Sequence, residues 1–200
     1  MRRRTALIAS ATLVGGLLVL PNAALAEPLP PEDRMKSLLL TTEEMVKATG
    51  YSGTLVSPPD SPSCYDTDDG GRDCMAAPAP QDFNNPQNYP YLVYISGFPT
   101  VAANNKHFRE HVLNPKPYNN ETIKIVSKNS RRITYTSVPA DPTMMASAWT
   151  SIRGKQGLIS GACAANTTSP DLKALAECSV KLANAQLKKV KNTRPKTPLA

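Results

Sequence analysis

The strongest constraint on this chain is a run of adjacent strand signals between residues 121 and 163. β-Branched and aromatic residues concentrate over 121–127 and 132–138, and Lys128, Asn129, Ser130 and Arg131 leave room between them only for a hairpin turn. Residues 144–152 and 156–163 repeat the pattern around Arg153, Gly154 and Lys155. Strands joined so closely pair antiparallel, because a parallel crossover needs a dozen or more residues. An earlier strand, Tyr91, Leu92, Val93, Tyr94 and Ile95, is ended by Gly97, Phe98 and Pro99, and a short one is expected over 52–57. Helices fill the gaps. Thr41 and Glu44 form a capping box for a helix over 42–49 that Gly50 stops. Val101, Phe108 and Val112 mark a helix over 100–113. Pro170 opens a helix reaching Lys189, with Leu172, Leu175, Ala176, Cys178, Leu182, Ala185 and Leu187 at roughly helical spacing. Residues 58–90, rich in Pro, Asp, Asn and Gly, read as loop. The order predicts an α+β fold, a mainly antiparallel sheet with helices packed on it.

The ends are of a different character. Arg2, Arg3 and Arg4 precede an apolar run from Ala6 to Leu20, then Pro21 and the small-x-small triplet Ala24, Leu25, Ala26. This is the order of a cleavable signal peptide over 1–26, and the run is short and glycine-broken for a membrane span. Residues 27–36 read as a flexible leader, 37–189 as one α+β domain, and 190–200 as a basic disordered tail that folding does not need. The formal charge of +7 falls to +4 without the three leader arginines, and Lys188, Lys189, Lys191, Arg194 and Lys196 account for five more. A body near neutrality is not that of a nucleic-acid binder, which carries a basic patch on its folded face.

Four cysteines, Cys64, Cys74, Cys163 and Cys178, remain after the leader. In an exported chain an even number implies disulfides, here with three possible pairings. Cys64–Cys74 and Cys163–Cys178 are favoured, because each is local and brackets a turn-rich or strand-to-helix segment. Zinc fingers use tighter cysteine spacing than these intervals.

Catalytic motifs are sparse. His107, Phe108, Arg109, Glu110 and His111 match H-x-x-E-H, in which two histidines four apart on a helix ligate zinc and the glutamate acts as base. The third ligand would have to be Glu177; the competing reading leaves both histidines as ordinary side chains beside an apolar face. Asp66, Thr67, Asp68, Asp69 and Gly70 depart from calcium-loop spacing and read as an acidic turn. Trp149, with Met144 and Met145 nearby in sequence, belongs either to the core or to a cleft for an apolar ligand.

Ser37, Leu38, Leu39, Leu40, Thr41, Thr42, Glu43, Glu44 and Met45, followed by Thr49 and Gly50, resemble the opening of the extracellular sensor domain of a mycobacterial receptor serine/threonine kinase. Related exported actinobacterial proteins carry that domain without a kinase. The later order is similar too: a strand over 91–97, then Phe98, Pro99, Thr100, Val101 and Ala102 leading into a helix, Arg153 and Gly154 turning a hairpin, and a terminal helix rich in Ala, Leu and Lys. The resemblance implies an α+β sheet with a cleft, two disulfides and a role in ligand sensing. The chain also resembles small exported actinobacterial proteins with a PsbP-like sheet and helices. The expected function is a secreted or envelope-associated, non-enzymatic, sensor-like binding module. Its partner would be a small molecule or envelope ligand, with no cofactor, no nucleic acid and no membrane span. The alternatives are a small zinc-dependent hydrolase using His107, Glu110 and His111, or a surface adhesion or structural protein.

Overall fold

The computed structural model describes residues 28–51, 54–57, 61–68, 70–80, 91–117, 120–165 and 169–200. The expected signal segment, its cleavage point at Ala26 and the start of the strand expected over 52–57 lie outside the described residues.

Two short helices come first, α1 (Glu32–Leu38) and α2 (Thr42–Thr49). α1 corrects the flexible leader expected over 27–36. Its Met35 and Leu38 have no exposed surface and belong to the main core, so burial orders a segment whose prolines hide any periodicity. α2 has the expected capping box: Glu44 N donates to Thr41 Oγ1 at 3.3 Å and Thr41 N to Glu44 Oε2 at 2.8 Å.

The sheet strands are β2 (Ser63–Asp66), β3 (Arg72–Ala76), β5 (Tyr91–Gly97), β6 (Thr122–Lys128), β7 (Arg132–Val138), β8 (Ala146–Arg153) and β9 (Gly157–Ala165). They run in the order β2-β3-β5-β9-β8-β7-β6 with every neighbour antiparallel, which is the expected fold class. Two short strands, β1 (Leu55–Val56) and β4 (Ala79–Pro80), form a separate ladder. The hairpin β2–β3 corrects the loop expected over 58–90. Neither strand alternates apolar with polar residues, so no period of two signals them; β3 is held by pairing to β5, and β2 by pairing to β3 and by the Cys64–Cys74 disulfide, whose cysteines face each other in register. The acidic stretch around Asp66 and Asp68 turns this hairpin, and Arg72 clasps Asp66.

Helix α3 (Val101–His107), capped by Thr100, runs on through a π-helical turn, Phe108–Val112. Phe108 packs there with Phe98 and Leu158 in a small second cluster. The terminal helix α4 (Leu172–Asn192) is capped by Asp171, whose Oδ1 accepts from Ala174 N at 3.0 Å, so Pro170 lies just before the helix and not in its first turn. Its buried stripe, Leu175, Ala176, Ser179, Leu182, Ala183, Gln186 and Val190, lies chiefly on β9 and β8. The two come so close at Gly161 that a Cβ there would stand 2.6 Å from Ala183 N and 2.7 Å from Leu182 Cβ. The second disulfide, Cys163–Cys178, ties β9 to the same helix, completing the favoured pairing.

Residues 190–200 are not a disordered tail. Val190 still belongs to α4, and the chain then turns back so that Leu199 is fully buried. Gln156 N donates to Pro198 O at 2.9 Å and Arg34 Nη2 to Pro195 O at 3.0 Å. Leu199 sits against Gly97, Gly154 and Gly157; a Cβ on Gly154 would collide with the Leu199 carbonyl. The basic composition concealed this docking, because one apolar residue near the end carries it.

Candidate functional site

The sheet is wider than the helix that covers it. α4 lies chiefly over β9 and β8 and reaches β7, and the edge strand β6 extends past its footprint. The wedge left between helix and edge is a groove of about 760 Å³, within the range of about 300–1,000 Å³ usual for small-molecule sites. Leu172, Ala176 and Val180 of α4 form one wall, at i, i+4 and i+8 and therefore on one side of the helix. Thr134 and Thr136 of β7 form the floor, and the Lys124–Ser127 stretch of β6 the other wall. The β6–β7 register shifts between Ile125 and Ser127, a bulge of the kind that bends an edge strand.

The lining is predominantly apolar. The floor hydroxyls are already engaged: Thr134 Oγ1 shares a hydrogen bond with Thr150 Oγ1 at 2.9 Å, and Thr136 Oγ1 donates to Lys124 O at 3.5 Å. Thr150 continues to Ser179 Oγ at 2.8 Å, so a chain of buried hydroxyls joins floor to helix. Charge is confined to the rim, where Lys124, Lys173 and Lys181 face a single acid, Glu177. Such a site meets its ligand with carbon below and amines above.

The residues singled out from sequence are scattered. His107 and His111 lie together near the end of α3, ring centroids 5.1 Å apart, with the Phe98 ring 4.9 Å from His107. Glu177 is on the groove rim; among the described residues no group of three His, Cys, Asp or Glu side chains is close enough together to hold a metal ion. The structure therefore does not assemble the zinc set of His107, His111 and Glu177. Trp149 occupies the face of the sheet away from α4, because its neighbour Thr150 bonds to the helix. There it is half-buried in register between Tyr135 and Ala162, its Nε1 donating to Ser147 Oγ at 3.2 Å. Burial, with Glu121 adding to it, pushes the Tyr135 hydroxyl up to about 12. Met144 and Met145 stand exposed in the turn before β8, which begins two residues later than the 144–152 expected. None of the three lines the groove.

Sequence reasoning missed the groove. Its one available signal was the breadth of the apolar arc on α4. Leu172 and Val180 flank the buried stripe and, with Ala176 at its edge, widen the arc beyond what lies on β9 and β8.

No protein-family model matches the chain, and no curated protein matches it. Among solved structures it is similar to the crystal structure of the extracellular domain of PknH from Mycobacterium tuberculosis. The TM-score is 0.49 at 11% sequence identity, over 80% of this chain and 98% of that one. This is a weak structural resemblance to a sensor domain, and a likeness so distant says nothing about what this chain binds. No helix among the described residues is long and apolar enough to cross a membrane.

Proposed function

We propose that the protein is an extracytoplasmic, non-enzymatic binding module whose groove between β6 and α4 takes a single-chain amphiphile with an anionic head. The composition of the groove carries this reading. Apolar area lines its floor and helix wall, and three lysines against one glutamate stand at its mouth. Burying an alkyl chain contributes about 0.8 kcal/mol per methylene, and the rim amines favour a carboxylate or phosphate over a neutral or cationic head. The groove lining holds no histidine or cysteine, and its threonine hydroxyls are engaged. Export is supported by the leader over 1–26 and by two disulfides, which persist in oxidising compartments. Cleavage after Ala26 would start the mature chain at Glu27.

A fluorescent fatty acid titrated into the mature protein tests this. One equivalent should bind, and Val180→Asp, which places a carboxylate on the half-buried helix wall, should weaken binding by about tenfold or more, roughly 1.4 kcal/mol. Equal binding by wild type and V180D would remove the groove from consideration.

A further inference from the structure

A second concavity lies at the other end of α4, where the helix's last turns approach the β6–β7 turn and the end of β8. It encloses about 420 Å³, and its walls include Arg131, Arg132, Arg153 and Lys191. One of the five cations near the end of the sequence, Lys191, thus shares a folded surface with Arg131 and Arg132 of the body.

The arginines are adjacent by construction. The β6–β7 turn is closed by Asn129, whose Oδ1 accepts from Arg131 N at 2.9 Å and Arg132 N at 2.8 Å, while Arg153 N donates to Arg131 O at 2.8 Å. A neutral partner on α4 holds one guanidinium in place: Arg132 Nη2 donates to Asn184 Oδ1. Arg153 borders the cleft, but its guanidinium turns to the face of the sheet away from α4, where Nη1 donates to Asn105 Oδ1 at 2.6 Å beside the Phe108 ring. Each guanidinium has five N–H donors, so most remain available. No acidic side chain lines the cleft. Ala200 also borders it and forms no ion pair with Arg131, Arg132 or Lys191 among the described residues. The carbonyl end of α4 opposes an anion with only about half a charge, which three full positive charges outweigh.

We infer that this cleft is a second binding site, for a phosphate group. Guanidinium forks match the oxygens of a tetrahedral oxyanion, and Arg131, Arg132 and Lys191, with no acidic side chain among them, favour a group carrying more than one negative charge. The same chemistry is offered by a free phosphorylated small molecule and by an anionic lipid headgroup.

Two probes separate those sources. Glycerol 3-phosphate is titrated calorimetrically into the mature protein at about 0.15 M salt, where diffuse attraction is largely screened beyond about 8 Å. Vesicles of phosphatidylglycerol in phosphatidylcholine are tested by co-sedimentation. At least one probe should bind, and Arg131→Gln, at an exposed position, should weaken it about tenfold, as should Arg132→Gln. The double variant Lys47→Gln/Lys116→Gln removes two exposed charges elsewhere and should leave binding within about twofold. Glycerol 3-phosphate alone binding assigns a free phosphorylated ligand, and vesicles alone binding assigns a headgroup. Failure of both probes, or an equal loss in K47Q/K116Q, would overturn the site. V180D should leave either result unchanged, which keeps this test separate from that of the groove.

Discussion

Gln186 is fully buried in the middle of the α4 stripe, and its amide serves the chain between α1 and α2. Its Oε1 accepts from Leu40 N at 2.9 Å and its Nε2 donates to Leu38 O at 2.6 Å. Leu38 ends α1 and Leu40 precedes α2, so no helical partner serves these groups. Lys189 reinforces the same junction, donating to Leu39 O at 2.7 Å and Glu44 Oε2 at 2.6 Å. Partial burial works against the Glu44 carboxylate, but the hydrogen bond and charge of Lys189 and the Thr41 N–H hold it below its ordinary range. Gln186→Leu keeps the volume and strands two buried polar groups. With about 1–3 kcal/mol for each unsatisfied group, the loss should be roughly 2–6 kcal/mol, or about 4–24 °C in thermal midpoint. A midpoint within about 2 °C of wild type would show that water reaches these groups. This residue was illegible in the sequence for a physical reason. Hydrophobic periodicity passes over a polar side chain, and the groups that Gln186 satisfies lie 146 and 148 positions away.

At the scale of elements, what could be read was what is locally determined. The capping box at Thr41, the Asn129 turn, the strand at Tyr91 and the stripe of α4 each carry their signal within a few residues. The elements missed are those that exist through distant partners: α1 by seating Met35 and Leu38 in the core, β3 by pairing to β5 with β2 paired on it, and the terminal segment by Leu199. That last segment yields a sharp prediction. Leu199 is fully buried in the main core, against Gly97, Gly154 and Gly157 on one side. Leu199→Ala should therefore fall within the usual 2–5 kcal/mol for a buried leucine, about 5–15 °C in midpoint. Removal of residues 197–200 should cost at least as much, since Gln156 N also loses the Pro198 carbonyl. Lys196→Gln, at an exposed position, should change the midpoint by no more than about 2 °C. Were L199A as stable as wild type by thermal scanning, the expectation of a dispensable tail would be restored.

For the whole molecule, the two disulfides pose a question that loop length cannot answer. They span 10 and 15 residues, and the chain-entropy model gives each about 3 kcal/mol. Their positions differ. Cys64–Cys74 lies inside the β2–β3 hairpin at one end of the sheet, bridging strands that already pair. Cys163–Cys178 crosses from the sheet to α4, and it sits one residue from Glu177 and two from Ala176 and Val180, within the part of the helix that forms the groove wall. The first should therefore protect only its own hairpin, and the second should hold the distance between helix and sheet on which the groove depends. In Cys64→Ala/Cys74→Ala, faster amide exchange should be confined to residues 63–76, with amphiphile binding within about twofold of wild type. In Cys163→Ala/Cys178→Ala, exchange should rise along residues 172–181 and binding should weaken by about tenfold. The thermal midpoints of the two variants should fall by similar amounts, because the entropy removed from the unfolded chain is nearly the same. Unchanged protection over 172–181 with unchanged binding would show that the packing of α4 at Gly161 sets the groove without the disulfide. The close approach of helix and sheet at Gly161 lies farther along α4 than the groove wall, where it can act as a pivot and leave the first turns free to lift. Holding those turns down is the work assigned to Cys178.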